Sequence, residues 1–120
     1  MPISPPPTSA LVDLAAVIGE ENVRTLVRTF LREFPISMQN LARGERKDRH
    51  RVAHGMKSNS RLMGAIELSQ RMAEIEGRLA SDAGADLSVD ELTAIGAEYE
   101  AIAGPLRAFV GDEAHKTSAP

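Results

Sequence analysis

The apolar positions of this chain recur every three or four residues over most of its length, as one face of an α-helix requires. In one such stretch they are Val23, Leu26, Val27, Phe30, Leu31, Phe34, Met38 and Leu41. No run of β-branched residues alternates with a period of two, so the pattern predicts no strand. It therefore predicts an all-α protein.

Turn and cap signals divide the pattern into five helices. The predicted helices cover residues 8–18, 21–42, 46–63, 66–82 and 88–110. Gly64 suits the left-handed residue that follows a helix C-terminus, and Ser88 with Glu91 has the pattern of a capping box. Pro35 lies inside the second helix, where we expect a kink or short break, and Pro105 is expected to bend the last helix.

Four long amphipathic helices with short connections pack most simply as an antiparallel four-helix bundle, with the short first helix as an additional cover. Leu68 is expected in the core. Residues 8–110 are the predicted domain, and we expect residues 1–7 to be disordered and residues 111–120 to form a flexible tail. The bundle looks complete within one chain, so we expect a monomer.

Composition excludes several classes of function. The chain has no cysteine, which excludes disulfides, thiolate catalysis and cysteine-ligated metals. Its first residues carry neither a basic segment nor an apolar run, and no later apolar stretch reaches the roughly 20 residues of a membrane span. We therefore expect a cytoplasmic protein without a membrane segment.

The net charge of −3 is unevenly distributed. Residues 43–61 carry seven basic and two acidic side chains, a balance of +5 that leaves −8 for the remainder. A basic stripe on an acidic body suggests an acidic or phosphorylated partner, although a solvated helix face gives the same pattern.

His54 lies near the middle of the third predicted helix. At about 100° per residue, Val52, Met56 and Met63 fall on the opposite side, so they should face the core while the imidazole points outward. Gly55 beside it would let another surface approach closely. The polar residues on the side of His54 are Lys57, Ser58, Arg61, His50 and Arg51.

An exposed neutral imidazole is a competent nucleophile near neutral pH and can hold a phosphoryl group. Lys57, one helical turn from His54, would offset the charge of that group. An exposed histidine and lysine without any task would have the same spacing. The pair alone therefore does not decide between these interpretations.

The sequence around His54 and Lys57 gives further evidence about their role. Residues 53–65 read AHGMKSNSRLMGA, and Leu68, Met72, Ile75 and Glu76 follow. This stretch of 24 residues resembles the histidine phosphotransfer (HPt) domain family of multistep phosphorelays. The order of the helices extends the resemblance to about residues 11–110 and implies an HPt-like four-helix bundle.

The resemblance implies a role for each site residue. His54 would be the phosphoacceptor, and Lys57 would stabilise the phosphoryl charge. Glu76 would accept the Nδ1–H of His54 and leave Nε2 as the attacking nitrogen, although an ordinary carboxylate at the edge of a helix would occupy the same position. The residues expected to contact the partner are Arg51, Gly55, Ser58 and Arg61.

Two positions depart from the family pattern. Ser58 replaces a glycine, so it adds a hydroxyl near the phosphoryl site. Asn59 replaces a small serine on the side of the helix that we expect to be buried, and a buried amide needs hydrogen-bond partners.

The function implied by the resemblance is that of a stand-alone phosphate carrier. A phosphoaspartate on a receiver domain, from a response regulator or a hybrid histidine kinase, would dock against the second and third helices and phosphorylate His54. Another receiver would then take the phosphoryl group. The receiver would supply Mg²⁺, and this chain would bind no cofactor. Because no glycine-rich phosphate loop is present, ATP-dependent kinase activity is not expected.

Three other functions each fit part of the sequence. His50 and His54 have the i, i+4 spacing of two metal ligands, although no third ligand is evident nearby. The basic stripe could bind nucleic acid, but the chain is acidic overall and only 3% aromatic. We therefore expect neither a metal nor a nucleic-acid site. The third is a protein-binding adaptor that has the HPt fold and carries no phosphate.

Overall fold

The computed structural model describes residues 5–81 and 86–111. Within these ranges it contains no strand, and its helices are α1 (Ser9–Ile18), α2 (Glu20–Arg43), α3 (Arg46–Leu62), α4 (Ile66–Ala80) and α5 (Val89–Val110). The predicted all-α fold class is confirmed. Most of the predicted disordered segment and flexible tail, at residues 1–4 and 112–120, lies outside the described residues.

The helices α2 to α5 form the bundle. The most extensive contact is between α3 and α4, and α2 packs against both α3 and α5. Short turns at residues 44–45 and 63–65 join α2 to α3 and α3 to α4, so these helices run antiparallel. Helix α1 packs on α2 as an additional cover, as predicted.

The core is built mainly from aliphatic side chains and methionine. Leu68 is 2% exposed and therefore belongs to it, as expected. Other side chains with little or no exposure are Leu11, Val23, Val27, Leu41, Met72, Ile75, Ile95 and Leu106. One apolar face of every helix contributes to this single cluster, which is what holds the bundle together.

Helix α2 runs through Pro35 without interruption, so of the predicted kink or short break the break does not occur. Proline has no N–H, and the carbonyl of Leu31, four residues earlier, therefore loses its usual helical donor. The hydroxyl of Tyr99 on α5 donates to that carbonyl at 3.0 Å. The Tyr99 ring also stacks on Phe34 with 4.5 Å between the ring centroids. A neighbouring helix thus supplies the donor that the proline lacks.

The turn between α3 and α4 fixes the start of α1. Gly64 has a φ of +81°, and a Cβ at this position would lie 2.5 Å from Oγ1 of Thr8. The Thr8 hydroxyl donates to the carbonyl of Met63 at 2.9 Å and accepts from the N–H of Leu11 at 3.2 Å. Glycine is therefore required at position 64 both for its backbone conformation and for the space it leaves. The result is that α1 begins against the end of α3.

Candidate functional site

His54 lies on the outer face of α3, with 59% of its side chain exposed. Its neighbours Ala53 and Met56 are buried, with exposed fractions of 0% and 2%. Helical periodicity explains this alternation, because residues about one turn apart share a face. The imidazole is therefore accessible to another protein.

Glu76 on α4 faces the imidazole. Its Oε2 lies 2.6 Å from Nδ1 of His54, and its Oε1 lies 2.6 Å from Nζ of Lys57. The antiparallel packing of α3 on α4 makes this possible, because His54 and Lys57 are adjacent along one face of α3. One carboxylate therefore holds both groups, and its own side chain is only 17% exposed.

The pairing of Lys57 with Glu76 was not predicted from the sequence. A signal for it was available, since a carboxylate that faces His54 also faces a lysine one turn further along the same helix. A second contact steadies this turn: the hydroxyl of Ser69 on α4, itself nearly buried, donates to the carbonyl of Lys57 at 3.1 Å. The site is thus fixed to α4 through both a side chain and the backbone.

The electrostatics of the site determine the state of the imidazole. The hydrogen bond from Lys57, and after it the one with His54, lowers the pKa of the Glu76 carboxyl below its ordinary value. Glu76 is therefore ionised at neutral pH and can only accept hydrogen bonds. It follows that Nδ1 of His54 carries the proton and that Nε2 of the neutral ring carries the lone pair.

The predicted partner-contact residues lie around His54 on α3. Arg51, Ser58 and Arg61 are exposed, and Gly55 is half-buried. A Cβ at Gly55 would meet nothing within 4 Å, so the fold itself leaves space there. The structure thus brings these four residues to the surface that carries the imidazole.

Asn59 is exposed, so the prediction that its amide is buried is wrong. The buried polar residue on α3 is Ser60, which is 0% exposed. Ser60 lies about one turn from both Met56 and Met63, which places it near the centre of the buried face, whereas Asn59 falls at the edge of that face. No partner is therefore needed for a buried amide here.

Some arginines of the basic stripe make contacts that hold the fold together, and others are exposed at the surface. Arg46 and Arg49 both contact Oδ1 of Asp86 at 3.1 Å, and Arg46 also donates to the carbonyl of Ser81 at 2.7 Å. These two arginines hold the segment that precedes α5 against the start of α3. Arg51 pairs with Asp48 at 3.5 Å in a solvent-exposed contact, which contributes little to stability. The cationic surface near His54 is therefore smaller than the sequence suggests.

The described residues, 5–81 and 86–111, contain neither a cluster of metal-ligating side chains nor a membrane-spanning helix. No group of three or more histidine, cysteine, aspartate or glutamate side chains in these ranges could hold a metal ion. Across the same ranges, no helix combines the length and the apolar character needed to cross a membrane.

Comparison with known proteins identifies the family. The family model of the Hpt domain matches residues 25–104, two thirds of the chain, and this range includes His54, Lys57 and Glu76. Searches of curated proteins and of solved structures give no match. The matched range covers all of α3 and α4 and most of α2 and α5. The chain belongs to the Hpt domain family, whose members transfer phosphoryl groups through a histidine in phosphorelays and interact with receiver domains.

Proposed function

We propose that His54 accepts a phosphoryl group from the phosphoaspartate of one receiver domain and passes it to the aspartate of another. The observation that supports this most strongly is the contact between Nδ1 of His54 and Glu76. It directs the protonated nitrogen inward and leaves the lone pair of Nε2 on an exposed ring.

The transfer itself requires no proton to leave the ring. The lone pair of Nε2 attacks phosphorus in line, the N–P bond forms, and the bond between phosphorus and the aspartyl oxygen breaks with its electrons remaining on the carboxylate. Because Nδ1 keeps its proton, the phosphorylated ring is cationic, and the ionised Glu76 offsets that charge. In the second transfer a receiver carboxylate attacks phosphorus, and the N–P electrons return to a neutral imidazole.

Lys57 would stabilise the charge of the phosphoryl group. Its ammonium pairs with Glu76 at 2.6 Å before transfer, and it lies one helical turn from His54. A flexible four-carbon side chain allows it to turn toward the phosphoryl oxygens once they arrive. A charge-assisted contact of this kind favours the transition state and the phosphorylated product.

The proposed partners are receiver domains of response regulators or hybrid histidine kinases. Mg²⁺ would be held by the receiver, whose divalent ion offsets phosphoryl charge during transfer. The proposal also includes the sequence-based expectations that the protein acts in the cytoplasm as a monomer.

The test is phosphoryl transfer from a panel of phosphorylated receiver domains to the wild-type protein, His54→Gln and His50→Gln. His50 is the matched control, because it lies one turn from His54 on the same helix. We expect acid-labile, alkali-stable label on the wild-type protein and on His50→Gln, and none on His54→Gln. Circular dichroism should show equal helix content, because the His54 side chain is exposed.

The outcome that contradicts the proposal is equally specific. If the wild-type protein binds receivers but takes no label from any of them, the chain is a helical adaptor that carries no phosphate. Label on His54→Gln would instead place the acceptor at another residue.

A further inference from the structure

Ser69 carries a buried hydroxyl next to the candidate site. It lies near the start of α4, is 7% exposed, and donates to the carbonyl of Lys57 on α3 at 3.1 Å. Serine and threonine inside a helix commonly bond to a carbonyl of their own helix, as Thr25 and Thr29 on α2 do. Ser69 instead reaches across to α3, so its hydroxyl connects two helices rather than two turns of one helix.

The position of Ser69 complements that of Glu76. The two residues are seven positions apart on α4, which places them on the same face and about 10 Å apart along the helix axis. Glu76 contacts the side chains of His54 and Lys57, and Ser69 contacts the backbone of Lys57. One contact alone would allow this turn of α3 to pivot about it, whereas two contacts separated along α4 fix its register.

The apolar contact between α3 and α4 is less directional than this hydrogen bond. Met56 on α3 and Met72 on α4 are 2% and 0% exposed and belong to the core. Apolar packing has no preferred direction, and methionine adapts its shape readily. A rotation of α3 by about 20° would move a Cβ by roughly 1 Å. A shift of that size can lengthen the 2.6 Å contact between His54 and Glu76 beyond hydrogen-bonding distance.

We propose that Ser69 is a positioning residue for phosphoryl transfer, and that its bond to the Lys57 carbonyl holds the turn carrying His54 and Lys57 in register with Glu76. The inference rests on the proposed function, because this register affects a reaction only if His54 takes the phosphoryl group. Ser69 does not touch the reacting atoms and acts through the contact of His54 with Glu76. Its loss should therefore slow the chemical step and leave receiver binding unchanged.

Ser60 offers a matched control. It is also a buried serine, it lies on α3, and its hydroxyl has no hydrogen-bond partner among the described residues. Ser69→Ala and Ser60→Ala each remove one buried oxygen from the bundle, but only Ser69→Ala removes a hydrogen bond. Alanine favours helix, so both variants should fold, and circular dichroism checks that they do.

The experiment measures single-turnover transfer to the wild-type protein, Ser69→Ala and Ser60→Ala over a range of receiver concentrations. The donor is the phosphorylated receiver domain that labels the wild-type protein in the panel described above. We expect Ser69→Ala to lower the maximal rate roughly three- to tenfold, with the receiver concentration at half-maximal rate unchanged. Ser60→Ala should transfer at the wild-type rate.

Two further readouts separate positioning from a general effect on the fold. In a Glu76→Ala background, Ser69→Ala should have little additional effect on the rate, because the contact through which it acts is already absent. The ¹⁵N shifts of the His54 imidazole report the tautomer without any transfer. Ser69→Ala should increase the share of the ring that is protonated on Nε2, and Ser60→Ala should not.

Three results would contradict the role of Ser69 and leave the proposed function intact. The first is a wild-type maximal rate or a wild-type tautomer ratio in Ser69→Ala. The second is equal slowing in Ser60→Ala, which would indicate a general effect of removing a buried serine. The third is the full Ser69→Ala effect in the Glu76→Ala background. If instead no receiver labels the wild-type protein, the proposed function fails, and the role of Ser69 in transfer fails with it.

Discussion

At the scale of single residues, one carboxylate determines the state of the site. Glu76 pairs with the imidazole of His54 through one oxygen and with the ammonium of Lys57 through the other, both at 2.6 Å. The first contact fixes the tautomer, and in the proposed mechanism the lysine exchanges the second contact for phosphoryl oxygens after transfer. The pairing with Lys57 depends on the charge of Glu76, whose pKa lies below its ordinary value chiefly because of the hydrogen bond from Lys57.

Glu76→Ala and Glu76→Gln separate these effects. The amide oxygen of glutamine can still accept the Nδ1–H, so Glu76→Gln should keep the tautomer but lose the charge. We expect a slower single-turnover transfer in both variants, on the order of tenfold for alanine and less for glutamine, because a charge-assisted hydrogen bond is replaced by none or by a neutral one. The ¹⁵N shifts of the imidazole check the tautomer. Wild-type rates in Glu76→Ala would remove Glu76 from the mechanism.

For single residues, sequence reasoning correctly placed the side chains whose exposure depends only on their angular position around a helix. The exposure of His54 and the burial of Met56 and Met63 follow from their angular positions. The contact of Glu76 with His54 was suggested only by the resemblance, since spacing along one helix says nothing about which residue of the next helix lies opposite. Asn59 was misplaced for a related reason, because it stands at the border between the two faces of α3.

At the scale of the helices, Pro35 and Tyr99 form a unit. The proline removes the donor for the Leu31 carbonyl, and the Tyr99 hydroxyl from α5 replaces it at 3.0 Å. Sequence reasoning expected a kink or break at Pro35, because a proline by itself predicts one. The compensation came from a residue 68 positions away, which no local pattern reveals.

A double-mutant cycle tests this compensation. We expect Tyr99→Phe to lower the free energy of unfolding by about 1–2 kcal/mol, since the ring remains and a partly buried carbonyl loses its partner. In a Pro35→Ala background the restored N–H can bond to Leu31, so the same Tyr99→Phe change should cost less. Urea unfolding at neutral pH gives all four values. An equal cost in both backgrounds would show that the hydroxyl does not replace the missing donor.

At the scale of the whole molecule, paired charges join α4 to α5, whose contact is less extensive than that of α3 with α4. Arg71 contacts both carboxylate oxygens of Glu98, at 2.8 and 2.7 Å, and Arg78 contacts Glu91 at 2.6 Å. The pKa of each carboxyl is lowered, for Glu98 chiefly by the hydrogen bond from Arg71 and for Glu91 chiefly by the backbone N–H of Ser88.

The lowered pKa of Glu98 predicts how stability changes with pH. A carboxyl whose pKa is lower in the folded state stabilises the protein fully above its unfolded pKa, near 4.3, and this contribution is lost as the pH falls through the folded value. We therefore expect Glu98→Gln to reduce the difference in free energy of unfolding between about pH 6 and about pH 3. Urea unfolding at both values measures it. A difference as large as in the wild type would show that this ion pair does not contribute to acid sensitivity.

The overall fold could be predicted more fully than the surface. Amphipathic periodicity and the glycine and capping signals gave all the helices described, with ends within two residues of those observed. The basic stripe was less informative, because the sequence does not show that Asp86 takes two of its arginines.

The most direct test of the account identifies the nitrogen that carries the phosphoryl group. Long-range ¹H–¹⁵N spectra of the phosphorylated protein, with ³¹P detection, distinguish the two ring positions of each histidine. We expect the phosphoryl group on Nε2 of His54, with the proton retained on Nδ1. A phosphoryl group on Nδ1, or on another histidine, would contradict the role assigned to Glu76 and the proposed direction of attack.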